Sequence, residues 1–361
     1  MKKLLSITLA ICILAICTPI TIAANYNGFV YEVNSDNTIT ITGYNDFNTS
    51  NVVIPSQIGG KNVTAIGQGA FQLKSNITNA KIPDTVKSVG TMAFYSCRNL
   101  KTVTLGSATT SIGAKAFNTC TSLTSINLRN VQTIGEYAFY DCKALTQVYG
   151  GTTLKVIGKN AFSNCIALSS VNLGNALLYI DAYAFSNCTK ITTLQFPNKL
   201  GFIGNSAFKG CTALTGVYFG SGNLQIDAYA FENCTSLTSI DLPDNITSIG
   251  SLAFALRAPN STAFSHNITI NCSMNSAGAK YAKYYNVPAV FTDSGASVTL
   301  FGDVDGNGKI DSTDARRALR IAATIERPMS DYQIFLADLN ANGTIDTGDA
   351  QLILRKAAGL I

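Results

Sequence analysis

Two stretches toward the C-terminal end hold the residue types and spacing that bind a hard cation. Asp303, Asp305, Asn307, Asp311 and Asp314 put side-chain oxygens at positions 1, 3, 5, 9 and 12 of one loop, with Gly308 at position 6. The pattern returns 35 residues later as Asp338, Asn340, Asn342, Asp346 and Asp349, with Gly343 at position 6. Lys309 and Thr344, at position 7, would add backbone carbonyls. Calcium takes roughly six to eight oxygens on one flexible loop, and glycine permits the sharp bend. One such cluster could be ordinary surface; two in register predict two Ca2+ ions. Position 12 is aspartate in both loops, a shorter reach than the glutamate of ordinary EF-hands.

Such loops must be held by neighbouring elements. Ala315, Ala318, Leu319 and Ala322 recur at i, i+3, i+4 and i+7, and Ala350, Ile353, Leu354 and Ala357 repeat the spacing. One amphipathic helix is therefore expected after each loop. On that spacing alone Leu319 and Leu354 are as well placed for the core as for the surface. So short a segment has a marginal core, and cation binding would supply much of its folding free energy. Seven basic and nine acidic side chains in residues 301–361 leave it at −2.

The larger N-terminal part is organised by a repeat. Ala-Phe recurs with the phenylalanine at 71, 94, 117, 139, 162, 185, 208, 231 and 254, at intervals of 22 or 23 residues. An isoleucine or valine precedes each ring by five residues, and in seven copies a cysteine follows it by three, from Cys97 to Cys234. A fixed period with constant apolar slots means a solenoid whose rungs fold by stacking. Each rung should hold one alternating strand, such as Leu123-Thr124-Ser125-Ile126-Asn127-Leu128, then a turn, then Ile-Gly, then a short helical turn carrying Ala-Phe and Cys. Residues 25–63 read as a hairpin cap. Residues 268–291 close the other end, with a helix over Ala277–Tyr285 capped by Ser276. The fold class expected is an α/β solenoid of about nine 23-residue repeats, followed by a small all-α calcium-binding domain.

Seven thiols in one column cannot all pair, and a line cannot surround a tetrahedral metal; buried free thiols are expected. Exposed strand positions form a neutral polar face punctuated by Tyr149 and Tyr218, with Gln195 between them, suited to hydrogen bonding with a protein or glycan. An ordinary solvated face is the equal alternative. Asp181 and Asp227 replace the Ile-Gly glycine 46 residues apart. Two rungs separate them by about 10 Å, beyond the carboxylate spacings of glycosidases; a left-handed turn suits them better.

Met1-Lys2-Lys3, an apolar run over residues 4–16 and small residues through Ala24 read as a secretory signal peptide cleaved after Ala23 or Ala24. No other stretch is apolar enough to span a membrane. The formal charge of +5 includes Lys2 and Lys3 of the leader; the rest is too weak and scattered for nucleic acid. With His266 the sole histidine, a histidine-based triad or multi-histidine zinc site has nothing to build on.

The set Ile-Gly-x-x-Ala-Phe-x-x-Cys-x-x-Leu resembles the BspA-type leucine-rich repeat. The duplicated loop-helix resembles a type I dockerin. This resemblance implies docking to a cohesin on a scaffolding protein, as in a cellulosome that degrades polysaccharide. It implies contacts from Ser312, Thr313, Leu319 and Arg320, and from Thr347, Gly348, Leu354 and Arg355; Gly348 departs from the hydroxyl pair of the first copy. The domains expected are a signal peptide over 1–24, the repeat solenoid with its caps over 25–292, a linker over 293–300 and the dockerin over 301–361. The function expected is that of a secreted, non-catalytic interaction protein held at the cell surface by a scaffold. The alternatives are an adhesin or inhibitor acting through the repeats and, less favoured, a carbohydrate-active enzyme.

Overall fold

The computed structural model describes residues 24–257, 261, 263–293, 297–298, 300–328 and 330–361. The expected leader lies, except for Ala24, outside the described residues. The repeat period becomes strand register directly. Ser111 and Ile112 lie beside Thr133 and Ile134 of the next rung and beside Ser88 and Val89 of the previous one. About 11 turns stack in this way.

Two parallel sheets, rather than one, run along the solenoid. The first contains the expected alternating strands, among them Thr102–Thr104, Ser125–Asn127, Gln147–Tyr149 and Ser170–Asn172, and continues in shorter pairings such as Thr193–Gln195 with Gly216–Tyr218. The second is built from the Ile-Gly segments, for which no strand was expected. Strands of two residues such as Ser88–Val89, Ser111–Ile112 and Val156–Ile157 turn the apolar residue inward.

The Ala-Phe segment is not a helical turn. In all but the last rung it holds left-handed residues four apart, such as Met92 and Ser96 or Lys115 and Thr119. Every second amide bonds outward to the next rung: Phe94 N donates to Ala116 O at 2.7 Å and Phe117 N to Ala138 O at 2.8 Å, while Ala93 N and Tyr95 N donate within the segment. A helix would satisfy those groups internally and leave the stack without its ladder. The reading of the Ile-Gly glycine is also corrected. Neither these glycines nor Asp181 and Asp227 have positive φ. A Cβ on Gly90 would stand 2.7 Å from the Ile66 carbonyl oxygen, so close approach between rungs requires glycine there. Asp181 and Asp227 accept from the next amide, at 2.6 and 2.7 Å, and act as local caps.

Phenylalanine rings 71 through 254 form one buried stack, with near-parallel neighbours such as Phe139, Phe162 and Phe185 spaced at 5.1 Å. Beside it the cysteines are free and buried, as expected. Each thiol donates to the phenylalanine carbonyl of the preceding rung, from Cys97 Sγ to Phe71 O at 3.0 Å through Cys234 Sγ to Phe208 O at 3.3 Å. Burial pushes these thiols up, that of Cys97 to about 12.

At the C-terminal end, helix α1 (Ala277–Tyr285) starts at Ser276, whose hydroxyl accepts from Ala279 N, and stops at left-handed Asn286. Part of the expected linker is structured: Ser297–Val298 pairs with Ala289–Phe291, extending the cap sheet along its open edge. Three helices follow, α2 (Ser312–Ala322), α3 (Asp331–Ala337) and α4 (Thr347–Ala357). Helices α2 and α4 pack through Ala315, Ala318, Ile321, Ala350 and Ile353. Helix α3, which the sequence reading left unassigned, seats this unit on the solenoid cap. Phe335 lies 5.0 Å from Phe291 and 6.0 Å from Phe301, ring to ring. Lys283 Nζ of α1 donates to Asp338 O at 2.7 Å, and Lys356 Nζ to Asn286 Oδ1 and Phe301 O, both at 2.9 Å.

Candidate calcium centre and docking faces

The first loop folds around its own carboxylates. Asp303 Oδ1 accepts from Gly306 N at 2.8 Å and its Oδ2 from Gly308 N at 2.9 Å. Fully buried Asp314 accepts from Val304 N at 2.7 Å, Asp305 N at 3.1 Å and Asp311 N at 2.9 Å. Asp311 returns a bond to Thr313 N, so positions 9 and 12 also form the capping box that starts α2. Gly308, at φ 84°, makes the bend. Oxygens of Asp303, Asp305 and Asp314 lie within 4.8 Å of one another. Carboxylates so close repel unless a cation sits among them, and burial already pushes the Asp314 carboxyl up. The donor set therefore fits a hard dication such as calcium.

The second loop repeats the backbone. Asp338 accepts from Asn342 N at 3.0 Å and Gly343 N at 3.1 Å; Asp349 accepts from Asn340 N and Asp346 N, both at 2.9 Å. Asp346 caps α4 as Asp311 caps α2. Gly343 makes the bend at φ 89°. Asn342 Oδ1 accepts from Thr344 N, and Asn307 Oδ1 from Lys309 N, holding position 7 in both loops. Burial likewise pushes the Asp349 carboxyl up.

The helix faces named by resemblance point to solvent. Leu319 is 47% exposed and Leu354 51%, so neither belongs to the core; α2 and α4 bury a narrow stripe of Ala315, Ala318, Ile321, Ala350 and Ile353. Ser312, Thr313, Arg320, Thr347 and Arg355 are exposed beside them, and Gly348 half-buried. Arg320 Nε lies 3.4 Å from Glu326, which also holds Arg317. The cap is held by α3, Lys283 and Lys356, so both faces stay open.

On the solenoid, Tyr149 and Tyr218 are 44% and 55% exposed, on strands of the same side. Gln195 pairs directly with Tyr218. Tyr149 donates to Gln147 Oε1 at 3.0 Å and, with Asn127, Arg129 and Asn172, lines a groove of about 530 Å3. A second aromatic patch lies on the Ile-Gly sheet, where Tyr179 stacks on Phe202 at 4.8 Å beside exposed Leu178 and Tyr183. Its signal was the apolar residue directly before isoleucine in these rungs, hidden where no strand was expected.

A repeat solenoid joined to a paired calcium-loop unit defines a class of interaction proteins. Residues 37–169 and 155–279 match the BspA type leucine rich repeat region, in six copies, and residues 301–356 match the dockerin type I domain. The chain belongs to the BspA-type leucine-rich-repeat family and carries a C-terminal type I dockerin domain. A leucine rich cell surface protein from Faecalibacterium prausnitzii of solved structure is similar at 29% identity and TM-score 0.54, over 64% of this chain and 73% of that one. A T. pallidum leucine rich repeat protein matches at 24% identity and TM-score 0.43, over 60% and 90% of the two chains. One from Bacteroides ovatus matches at 23% and 0.39, over 69% and 84%. None of the curated proteins matches. The dockerin implies calcium as ligand and a cohesin as partner, and both domains are of non-catalytic kinds. Among the described residues no helix is long and apolar enough to cross a membrane.

Proposed function

We propose that this is a secreted, non-catalytic component of a cellulosome-type complex, attached by calcium-dependent dockerin–cohesin binding, whose repeat array captures a protein or glycan. The observation that carries it is the pair of loop-helix units whose outer faces are open while the third side is committed to the solenoid. Two Ca2+ ions fit the reading, held by Asp303, Asp305, Asn307, Asp311 and Asp314 and by Asp338, Asn340, Asn342, Asp346 and Asp349. Bound there, calcium would supply the positive charge that lets these carboxylates converge. Capping aspartates 311 and 346 then fix α2 and α4, and Leu319 and Leu354 bury against the cohesin with hydroxyl and guanidinium groups around them. The groove at Tyr149 and the face running to Tyr218 support ligand capture by the array. The 29% identity to a cell surface protein supports display outside the cell. The test is capture of the full chain on an immobilised cohesin: retention in calcium with release by EDTA is expected, and retention that survives EDTA would overturn the reading.

A further inference from the structure

The two calcium loops share a backbone but differ in charge, partly through their own side chains and partly through a charge from outside the dockerin. The first loop holds four carboxylates, Asp303, Asp305, Asp311 and Asp314, whereas asparagine at position 3 leaves the second with three. Among the described residues only the first loop brings three carboxylates within 4.8 Å. The first loop's own Lys309 is exposed to water, where its charge is screened. The second loop faces a buried ammonium: Lys283 of the solenoid cap, which donates to Asp338 O at 2.7 Å, lies 3.7 Å from Asp338 Oδ2 and stands 4.0 Å over the Phe335 ring. Lys283 and Asp338 are 55 residues apart, so the solenoid places a positive charge against position 1 of a calcium loop in another domain.

We propose that Lys283 is a positioning residue of the second calcium centre and makes the two sites unequal, the second binding calcium more weakly because the solenoid cap opposes it. This rests on the two-calcium reading above. Asp338 Oδ2 accepts from Gly343 N and faces the ammonium, and Oδ1 accepts from Asn342 N, so the ammonium stands beside the carboxylate that an ion at position 1 would use. A dication held on Oδ2 at an ordinary calcium–oxygen distance would lie within ~6 Å of Nζ, and one on Oδ1 within ~8 Å. A unit charge at that range weakens dication binding roughly tenfold even through water, and more in a partly buried site. The first loop fills first, and the second fills against a charge supplied by the cap.

The experiment is calorimetric titration of the chelator-treated full chain with calcium chloride. Wild type should show two classes of site, with Asp305→Asn weakening the tighter. In Lys283→Met, and in Lys283→Gln, which keeps a donor for the Asp338 carbonyl, the weaker class should tighten by about tenfold. Lys283→Arg should leave it weak. Lys356→Met cuts the other tie to the cap without removing a charge from the loop and should leave both classes in place. Equal sites in wild type, neutral variants without effect, or an equal shift in Lys356→Met would overturn the inference. Absence of any calcium binding would instead overturn the two-calcium reading itself.

Discussion

The cysteine column should make the solenoid labile to alkali. Seven thiols, Cys97 through Cys234, are buried and free, and burial raises every one of them, Cys97 and Cys211 to about 12. In the unfolded chain they ionise near the ordinary cysteine value of about 8.5. A folded pKa above the unfolded one means the folded chain holds its protons while the unfolded chain releases them. Stability is therefore complete below about pH 8.5 and falls as pH rises toward 12. At pH 10 each thiol has cost roughly 2 kcal/mol, so the column costs about 14 kcal/mol, comparable with the whole stability of a typical domain, about 5–15 kcal/mol. Thermal melts followed by circular dichroism under reductant, from pH 7 to 10.5, should show a steep fall above about pH 9. Replacing Cys142, Cys165 and Cys188 by alanine removes three of the seven titrations and should remove about three-sevenths of that pH-dependent loss, whatever the variant's stability at pH 7. Tyrosines and lysines titrate alike in both chains and cancel. An alkaline fall of equal slope in the triple variant would refute the argument.

Phe162→Ala empties a site between Phe139 and Phe185 in the ring stack; lost burial and the remaining cavity should lower stability by about 3–5 kcal/mol in urea unfolding. A loss under about 1 kcal/mol would mean that the stack contributes little. Phe335→Ala removes ring contacts with Phe291 and Phe301 and the ring beneath Lys283, weakening the junction by about 2–4 kcal/mol. The dockerin should then loosen from the cap, seen as a longer maximum dimension in solution scattering, with cohesin affinity unchanged.

The repeat was legible because one chemical event, an apolar slot facing the solenoid axis, recurs at a constant interval and fixes register. What a rung does between those slots was less so. The Ile-Gly strands are two residues long, too short for alternation to declare them, and their glycines answer to a backbone one rung away. The outward amides around Ala-Phe have no sequence signature that separates them from a helical turn. In the calcium loops the acidic spacing was plain, but Asp311 and Asp346 double as caps, a role visible once their bonds to Thr313 and Gly348 are seen. Leu319 and Leu354 could not be assigned by helical spacing, because the width of the buried stripe depends on how many partners a helix has. Lys283 and Lys356 were invisible: their contacts cross between domains, at 55 and 70 residues to Asp338 and Asn286.

If the reading is right, α2 and α4 present the cohesin-binding faces. The direct measurement is cohesin affinity at saturating calcium for Leu319→Asp, Leu354→Asp and the double variant, all at exposed positions that leave the core intact. Each single variant should still bind through the remaining face, and the double variant should not bind. A double variant with wild-type affinity would contradict the account.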